Sequence, residues 1–208
     1  MLRIAVFGSG RGSNFGAILD AIRAGKLPRV QIVAVISNNA DAGILQLARQ
    51  ENIAAFHMSS RQFRDEDAFV GALLQVLRES GANFIVLAGY MKRLNPRMIS
   101  AFRNRILNIH PALLPKYGGQ GMYGEHVHRA VLASGDRKSG ATVHMVDEEY
   151  DHGPVVLQKT VPVLPEDTVE TLAARVLELE HELYPEAIRL FAEGKILIED
   201  RDVVVQHH

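Results

Sequence analysis

Leu2-Arg3-Ile4-Ala5-Val6-Phe7-Gly8-Ser9-Gly10-Arg11-Gly12-Ser13-Asn14 passes from a short β-forming apolar run into spaced glycines, and Phe15, Ile18, Leu19 and Ile22 then recur at helical spacing. Strand, glycine loop and helix in that order form the opening unit of a parallel α/β sheet. Glycines at this junction let backbone amides and a helix N-terminus face an anion. The spacing is not G-x-G-x-x-G, because Gly8, Gly10 and Gly12 are each two apart and position 13 is Ser. No Gly-Lys-Ser/Thr follows, so it is not a Walker loop either. A phosphate monoester fits best, with Ser13 and Asn14 adding side-chain bonds. A plain turn with Ser13 or Asn14 capping the helix would use the same residues.

The same alternation continues outward. Gly25 and Pro28 stop the first helix, and Val30 to Ile36 is a nearly continuous apolar strand, as expected where both faces are covered. Ile44, Leu45 and Ala48 predict a second helix, Ala54 to Met58 a short third strand, and Phe69, Leu73, Val76 and Leu77 a third helix ending near Gly81. Phe84 to Ala88 is a fourth buried strand, and Arg105-Ile106-Leu107 leads into Asn108-Ile109-His110-Pro111. The fold class is therefore α/β, a largely parallel, Rossmann-like central sheet with helices on both faces. Ligands in such sheets bind beyond the carboxyl ends of the strands, so the loops 8–14, 89–95 and 108–111 are expected on one rim.

Beyond residue 111 the pattern changes. A loop with four glycines, Gly118 to Gly124, precedes a helix from about Glu125 to Ser134. Thr142 to Val146 and Val155 to Val161 read as an antiparallel strand pair around Asp151. Asp167-Thr168-Val169-Glu170 resembles a capping box before a long helix that Pro185 should kink and Gly194 should end. Ile196 to Ile198 and Val203 to Val205, around Asp200-Arg201-Asp202, form a C-terminal hairpin. Gln206-His207-His208 is read as a tag remnant without a metal role. The expectation is a single domain over 1–208, with a nucleotide-binding half at 1–110 and a half at 111–208 that completes the site.

With 208 residues, 47% of them apolar and 23% charged, the chain can bury a sizeable core. A net charge of −1 and the lack of any Lys/Arg block argue against nucleic acid as a partner. No cysteine is present, which removes thiolate catalysis and disulfide scaffolds. There is no signal-peptide layout and no run of about 18 apolar residues, so a cytoplasmic protein without membrane contact is expected.

Asn108 and His110, two apart on an extended segment, project to the same side. A neutral amide donor beside a ring that exchanges a proton near neutral pH suits acyl-group transfer. Alternatively, both close a strand end on backbone groups. Asp151, before Gly153-Pro154, either returns to pair with His110 or bonds within its own turn. His144 and His152 are further imidazoles, the first more consistent with a packed or supporting group and the second with an exposed one. A metal site built from His110, His144 and Asp151 lacks tight ligand spacing, and no metal is expected.

These residues carry a resemblance. Gly8 to Asn14, Leu87-Ala88-Gly89-Tyr90-Met91, Asn108 to Lys116, Gly121-Met122-Tyr123-Gly124 and Asp151-His152-Gly153-Pro154 together are similar to the phosphoribosylglycinamide formyltransferases, a folate-dependent formyltransferase family of purine synthesis. Asn-x-His-Pro with a distant Asp is shared across the wider formyltransferase group; the glycine-serine-asparagine loop and Gly-Met-Tyr-Gly favour the glycinamide ribonucleotide branch. The resemblance implies that Gly12, Ser13, Asn14 and Glu180 bind the ribonucleotide, and that Arg64, Met91, Lys92, Arg93, Leu94 and Asn108 bind formylfolate. It further implies that Asn108, His110 and Asp151 are catalytic, Asn108 and protonated His110 stabilising a tetrahedral intermediate and Asp151 raising the pKa of His110. The co-substrate would be 10-formyltetrahydrofolate, the partners small molecules only, and the assembly a monomer or homodimer. A formyltetrahydrofolate deformylase carries an extra N-terminal regulatory domain, and a methionyl-tRNA formyltransferase a C-terminal RNA-binding one. From another class, a non-catalytic nucleotide-binding module would use the glycine loop without needing Asn108, His110 and Asp151 to meet.

Overall fold

The computed structural model describes residues 1–199 and 202–206. Its chain divides into two compact units, Met1–Leu107 and Asn108–His208.

In the first unit, β1 (Leu2–Phe7) is followed by α1 (Ser13–Arg23), β2 (Val30–Ser37), α2 (Gly43–Gln50) and β3 (Ala55–His57). A 3₁₀ turn (Ser60–Gln62), α3 (Glu66–Glu79), β4 (Phe84–Leu87) and α4 (Pro96–Ala101) complete it. β1 pairs in parallel with β2 and with β4, and β2 in parallel with β3. Ile4 to Phe7 and Phe84 to Leu87 are buried along their whole length, which is why these strands read as unbroken apolar runs rather than alternating ones. Helix α4 has no counterpart in the apolar periodicity, because six residues are too few to show one. Its signal is local: Asn95 Oδ1 accepts from Arg97 N–H at 2.9 Å, and Pro96 opens the first turn.

β5 (Ile106–His110) carries the chain into the second unit, where α5 (Glu125–Ser134), β6 (Lys138–Met145), β7 (Val155–Pro162) and α6 (Val169–Ala192) follow. β6 and β7 are antiparallel, and α6 packs on both. The cap of α6 joins Thr168 to Thr171, one residue on from the expected Asp167 and Glu170: Thr168 Oγ1 accepts from Thr171 N–H at 3.3 Å, and Thr168 N–H donates to Thr171 Oγ1 at 2.9 Å. Pro185 lies inside α6 without ending it, buried with Leu183, Tyr184 and Ala187, so packing of this apolar face carries the helix across the missing N–H. Gly194 follows the end of the helix in the left-handed region, φ 70°, as expected.

β8 (Ile196–Glu199) and β9 (Asp202–Val205) form the antiparallel C-terminal pair. The Asp200-Arg201 turn expected between them, and His207 and His208, lie outside the described residues. The seven longer-range strands are ordered β3-β2-β1-β4-β5-β6-β7 in one largely parallel sheet. No helix among the described residues is long and apolar enough to cross a membrane.

Candidate active site

In the first unit the glycine loop ends at Gly12, the N-cap of α1, with φ 84°. A Cβ there would fall 2.9 Å from Ile44 Cα, so both the backbone conformation and the neighbour require glycine. Neither Ser13 nor Asn14 occupies the cap, which rules out the plain capping alternative. The first turn of α1 carries no acidic residue, so its positive end meets no carboxylate of its own. Ser13 is exposed at that end and Asn14 is buried beside it.

Ser9 ties this loop to two others. Its hydroxyl donates to Asn38 Oδ1 at 2.5 Å and accepts from Met91 N–H at 2.8 Å. Its amide donates to Gly89 O at 2.9 Å, and Asn39 Nδ2 donates to its carbonyl at 2.7 Å. The loops after β1, β2 and β4 are thereby held together at the carboxyl ends of their strands.

The second unit gathers four polar side chains. Asn108 and His110 point to the same side of β5, as the strand period requires. The Asn108 Nδ2 amide lies 3.0 Å from His144 Nε2 on β6. His144 Nδ1 lies 2.8 Å from Met145 O. A carbonyl only accepts, so Nδ1 carries a proton; with no second proton on Nε2, that nitrogen accepts from Asn108.

The same reasoning fixes His110. Its Nε2 is 2.7 Å from Tyr117 O and so donates to it. The nitrogen left to gain and lose a proton is Nδ1, which faces Asp151 Oδ2 at 3.6 Å, a little beyond a direct hydrogen bond.

Asp151 has φ 54° and sits in a turn closed by Gly153, where a Cβ would fall 2.0 Å from Met145 O. That close approach turns the chain back, and Met145 N–H donates to Pro154 O at 2.8 Å. The carboxylate consequently reaches Gly119 N–H at 3.0 Å and lies 3.5 Å from His144 Nε2, in place of bonding within its own turn.

Burial pushes His110 below the ordinary imidazole value. The Asp151 charge and the Tyr117 carbonyl pull it upward and the His144 ring lowers it again, with a net shift downward. The expectation that Asp151 would raise His110 above its usual value is corrected: its charge acts in that direction, but desolvating the ring outweighs it. For Asp151, burial favours the neutral acid, yet the two imidazoles and the Gly119 N–H together hold it below the ordinary carboxylate value. The resting pair is a neutral imidazole beside a carboxylate. His128 on α5 is also buried, and burial, then the His110 ring, lowers it, with Glu125 acting the other way. Its Nδ1 meets no hydrogen-bond partner among the described residues. No group of three His, Cys, Asp or Glu side chains stands in a metal-holding arrangement among the described residues.

The sequence pattern of the formyl transferase family matches residues 2–188. The chain belongs to the formyl transferase family. It is 43% identical over 195 residues to a chloroplastic phosphoribosylglycinamide formyltransferase of Vigna unguiculata, covering 94% of this chain and 62% of that protein. The chain thus spans less than two thirds of that plant relative. A Haemophilus influenzae phosphoribosylglycinamide formyltransferase is 43% identical over 200 residues, covering 96% of this chain and 92% of that protein. The crystal structure of glycinamide ribonucleotide transformylase 1 from Symbiobacterium toebii is 46% identical with a TM-score of 0.93, covering 100% of this chain and 95% of that one.

The other expected site residues have their own surroundings. Arg64 is exposed before α3 and pairs with Asp65 at 3.0 Å. Met91, Lys92 and Arg93 are exposed after β4, Leu94 is buried, and Glu180 is buried on α6. Three contributors escaped the reading by residue type: Ser9, the Tyr117 carbonyl and the Gly119 amide. Backbone groups carry no side-chain signature. Ser9 lay inside the motif, but nothing local marks a hydroxyl that bridges three loops. His152, half-exposed, faces Asp147 at 3.3 Å and is no part of the cluster.

Proposed function

We propose that this formyl transferase moves the formyl group of 10-formyltetrahydrofolate onto the amine of 5-phosphoribosylglycinamide, in purine synthesis. The names of its relatives support the acceptor and the transfer of a formyl group. The observation that carries the chemistry is His110, whose Nε2 is tied to Tyr117 while Nδ1 faces the Asp151 carboxylate. In this reading Gly12, Ser13 and Asn14 hold the ribonucleotide phosphate, Glu180 contacts the same substrate, and residues 91–94 with Arg64 line the folate side.

The amine nitrogen attacks the formyl carbon, and the carbonyl electron pair becomes an oxyanion. Asn108 donates an N–H to that oxygen. The attacking nitrogen, now cationic, gives its proton to His110 Nδ1, directly or through a water, and the imidazolium stands between oxyanion and carboxylate. The charge of Asp151 favours this transient protonation although the resting ring is neutral. The tetrahedral adduct then collapses, the folate nitrogen leaves, and His110 returns the proton to it. No covalent enzyme intermediate is required, and holding two substrates together contributes to the rate.

The test mixes the protein with 10-formyltetrahydrofolate, with and without 5-phosphoribosylglycinamide, and follows folate product. Product only with the amine supports the proposal. Product without it would make the protein a deformylase, and none in either tube would make it a binding module.

A further inference from the structure

We propose that Tyr117 is a positioning residue for His110: its phenol, anchored on Ser134 and Asp136, holds its own backbone carbonyl against His110 Nε2 and so reserves Nδ1 for the reacting group. This rests on the reading above that His110 acts on the formyl group.

Tyr117 adopts φ 56°, a left-handed conformation that a residue with a Cβ enters only when its surroundings hold it there. The restraint is visible at the far end of its side chain. The hydroxyl donates to Asp136 Oδ2 at 2.7 Å and lies 2.5 Å from Ser134 Oγ. Lys116 Nζ meets the same Asp136 oxygen at 2.9 Å and sits 5.9 Å from the Tyr117 ring centre. Both Lys116 and Tyr117 hold the Asp136 carboxyl below its ordinary value, so it stays an acceptor across the neutral range.

The two ends of one residue therefore do different work. The phenol grips the C-terminal end of α5, while the carbonyl fixes which nitrogen of His110 carries the permanent proton. An imidazole without that acceptor can place its proton on either nitrogen. In the other tautomer Nδ1 would donate to Asp151 and could not take a proton from an attacking amine. A free Nε2–H would also lose the partner that favours the charged ring. The groups that act on His110 are Asp151, this carbonyl and His144, and His110 in turn lowers His128.

Tyr117→Phe removes the anchor while keeping the ring. Nitrogen-15 shifts of His110, assigned with His110→Gln, report its tautomer and titration without depending on turnover. The wild type should show a single Nε2–H tautomer. The variant should show a mixture and a lower titration midpoint, with kcat reduced about fivefold, the scale of one hydrogen bond, and KM little changed. Asp136→Ala, which leaves Ser134 in place, should move both readouts the same way by less. An unchanged His110 tautomer and midpoint in folded Tyr117→Phe would overturn the proposal, whatever the rate. A shifted tautomer with an undiminished rate would uphold the positioning and instead refute the assignment of His110 to the formyl group.

Discussion

The loop of residues 8–14 and the cluster of Asn108, His110, His144 and Asp151 handle charge with different parts. The loop is contiguous, ends in a glycine cap at a helix N-terminus, and offers backbone amides that do not titrate. The cluster draws its groups from two strands and a turn, with Asn108 and His144 separated by 36 positions, and imidazole is a side chain able to exchange a proton near neutral pH. A fixed charge such as phosphate can be held by dipoles alone. A reaction that must move a proton needs groups whose charge changes, and those need burial and partners to set their state.

The sharpest way to break this contrast is Asp151→Asn, which keeps shape and removes charge. Turnover should fall about 10²–10³-fold with both substrates still bound, and the His110 midpoint should fall further below its already lowered value. NMR titration of both proteins measures it. An unmoved His110 midpoint in a slow, folded variant would mean that Asp151 acts without charge coupling.

Gly12→Ala addresses the other side. The new Cβ meets Ile44 and the φ of 84° is strained for alanine, so unfolding stability should drop by about 1–3 kcal/mol. Urea denaturation tests this; full stability would show that the loop needs no glycine there. Ser13→Ala should be milder, weakening the ribonucleotide about tenfold and the folate hardly at all. Calorimetry with each ligand alone decides, and equal losses for both would make the loop a structural device.

The smallest effect is in stability against pH. His110 and His128 both have folded values below the unfolded reference of about 6.5, so the unfolded chain binds more protons as pH falls past that reference. Their buried neutral state is accommodated fully above about 6.5, and stability should decline as pH drops below it. Asp151, lowered in the fold, adds a separate loss only under more acidic conditions. Thermal melts from pH 8 to 5 should show the decline, and His128→Leu should flatten it. A rise in stability over that range would contradict the buried-neutral description.

Much of the architecture was legible because it is written in local patterns. Continuous apolar runs at 2–7, 30–36 and 84–88 mark doubly covered strands, and the helix at Glu125 starts and stops where glycines stand. Helix α4 escaped because a single turn and a half has no period to detect. Pro185 stands inside α6, as the helical pattern around it implied, among the buried Leu183, Tyr184 and Ala187.

What the sequence by itself determined is the strand–loop–helix frame, the residue types at Asn108, His110 and Asp151 that make them candidates for the chemistry, and the glycine at the head of α1. Each depends on contacts within a few residues or on side-chain type. Only the tertiary structure decided that Asp151 returns to His110, that His144 bonds Asn108, and that His110 rests neutral. The reason is physical. A protonation state is the balance of desolvation against a few nearby charges, and both depend on which distant segments pack around the ring. The orientation of that ring rests on a backbone carbonyl, a group every residue carries, and only folding selects the one from Tyr117.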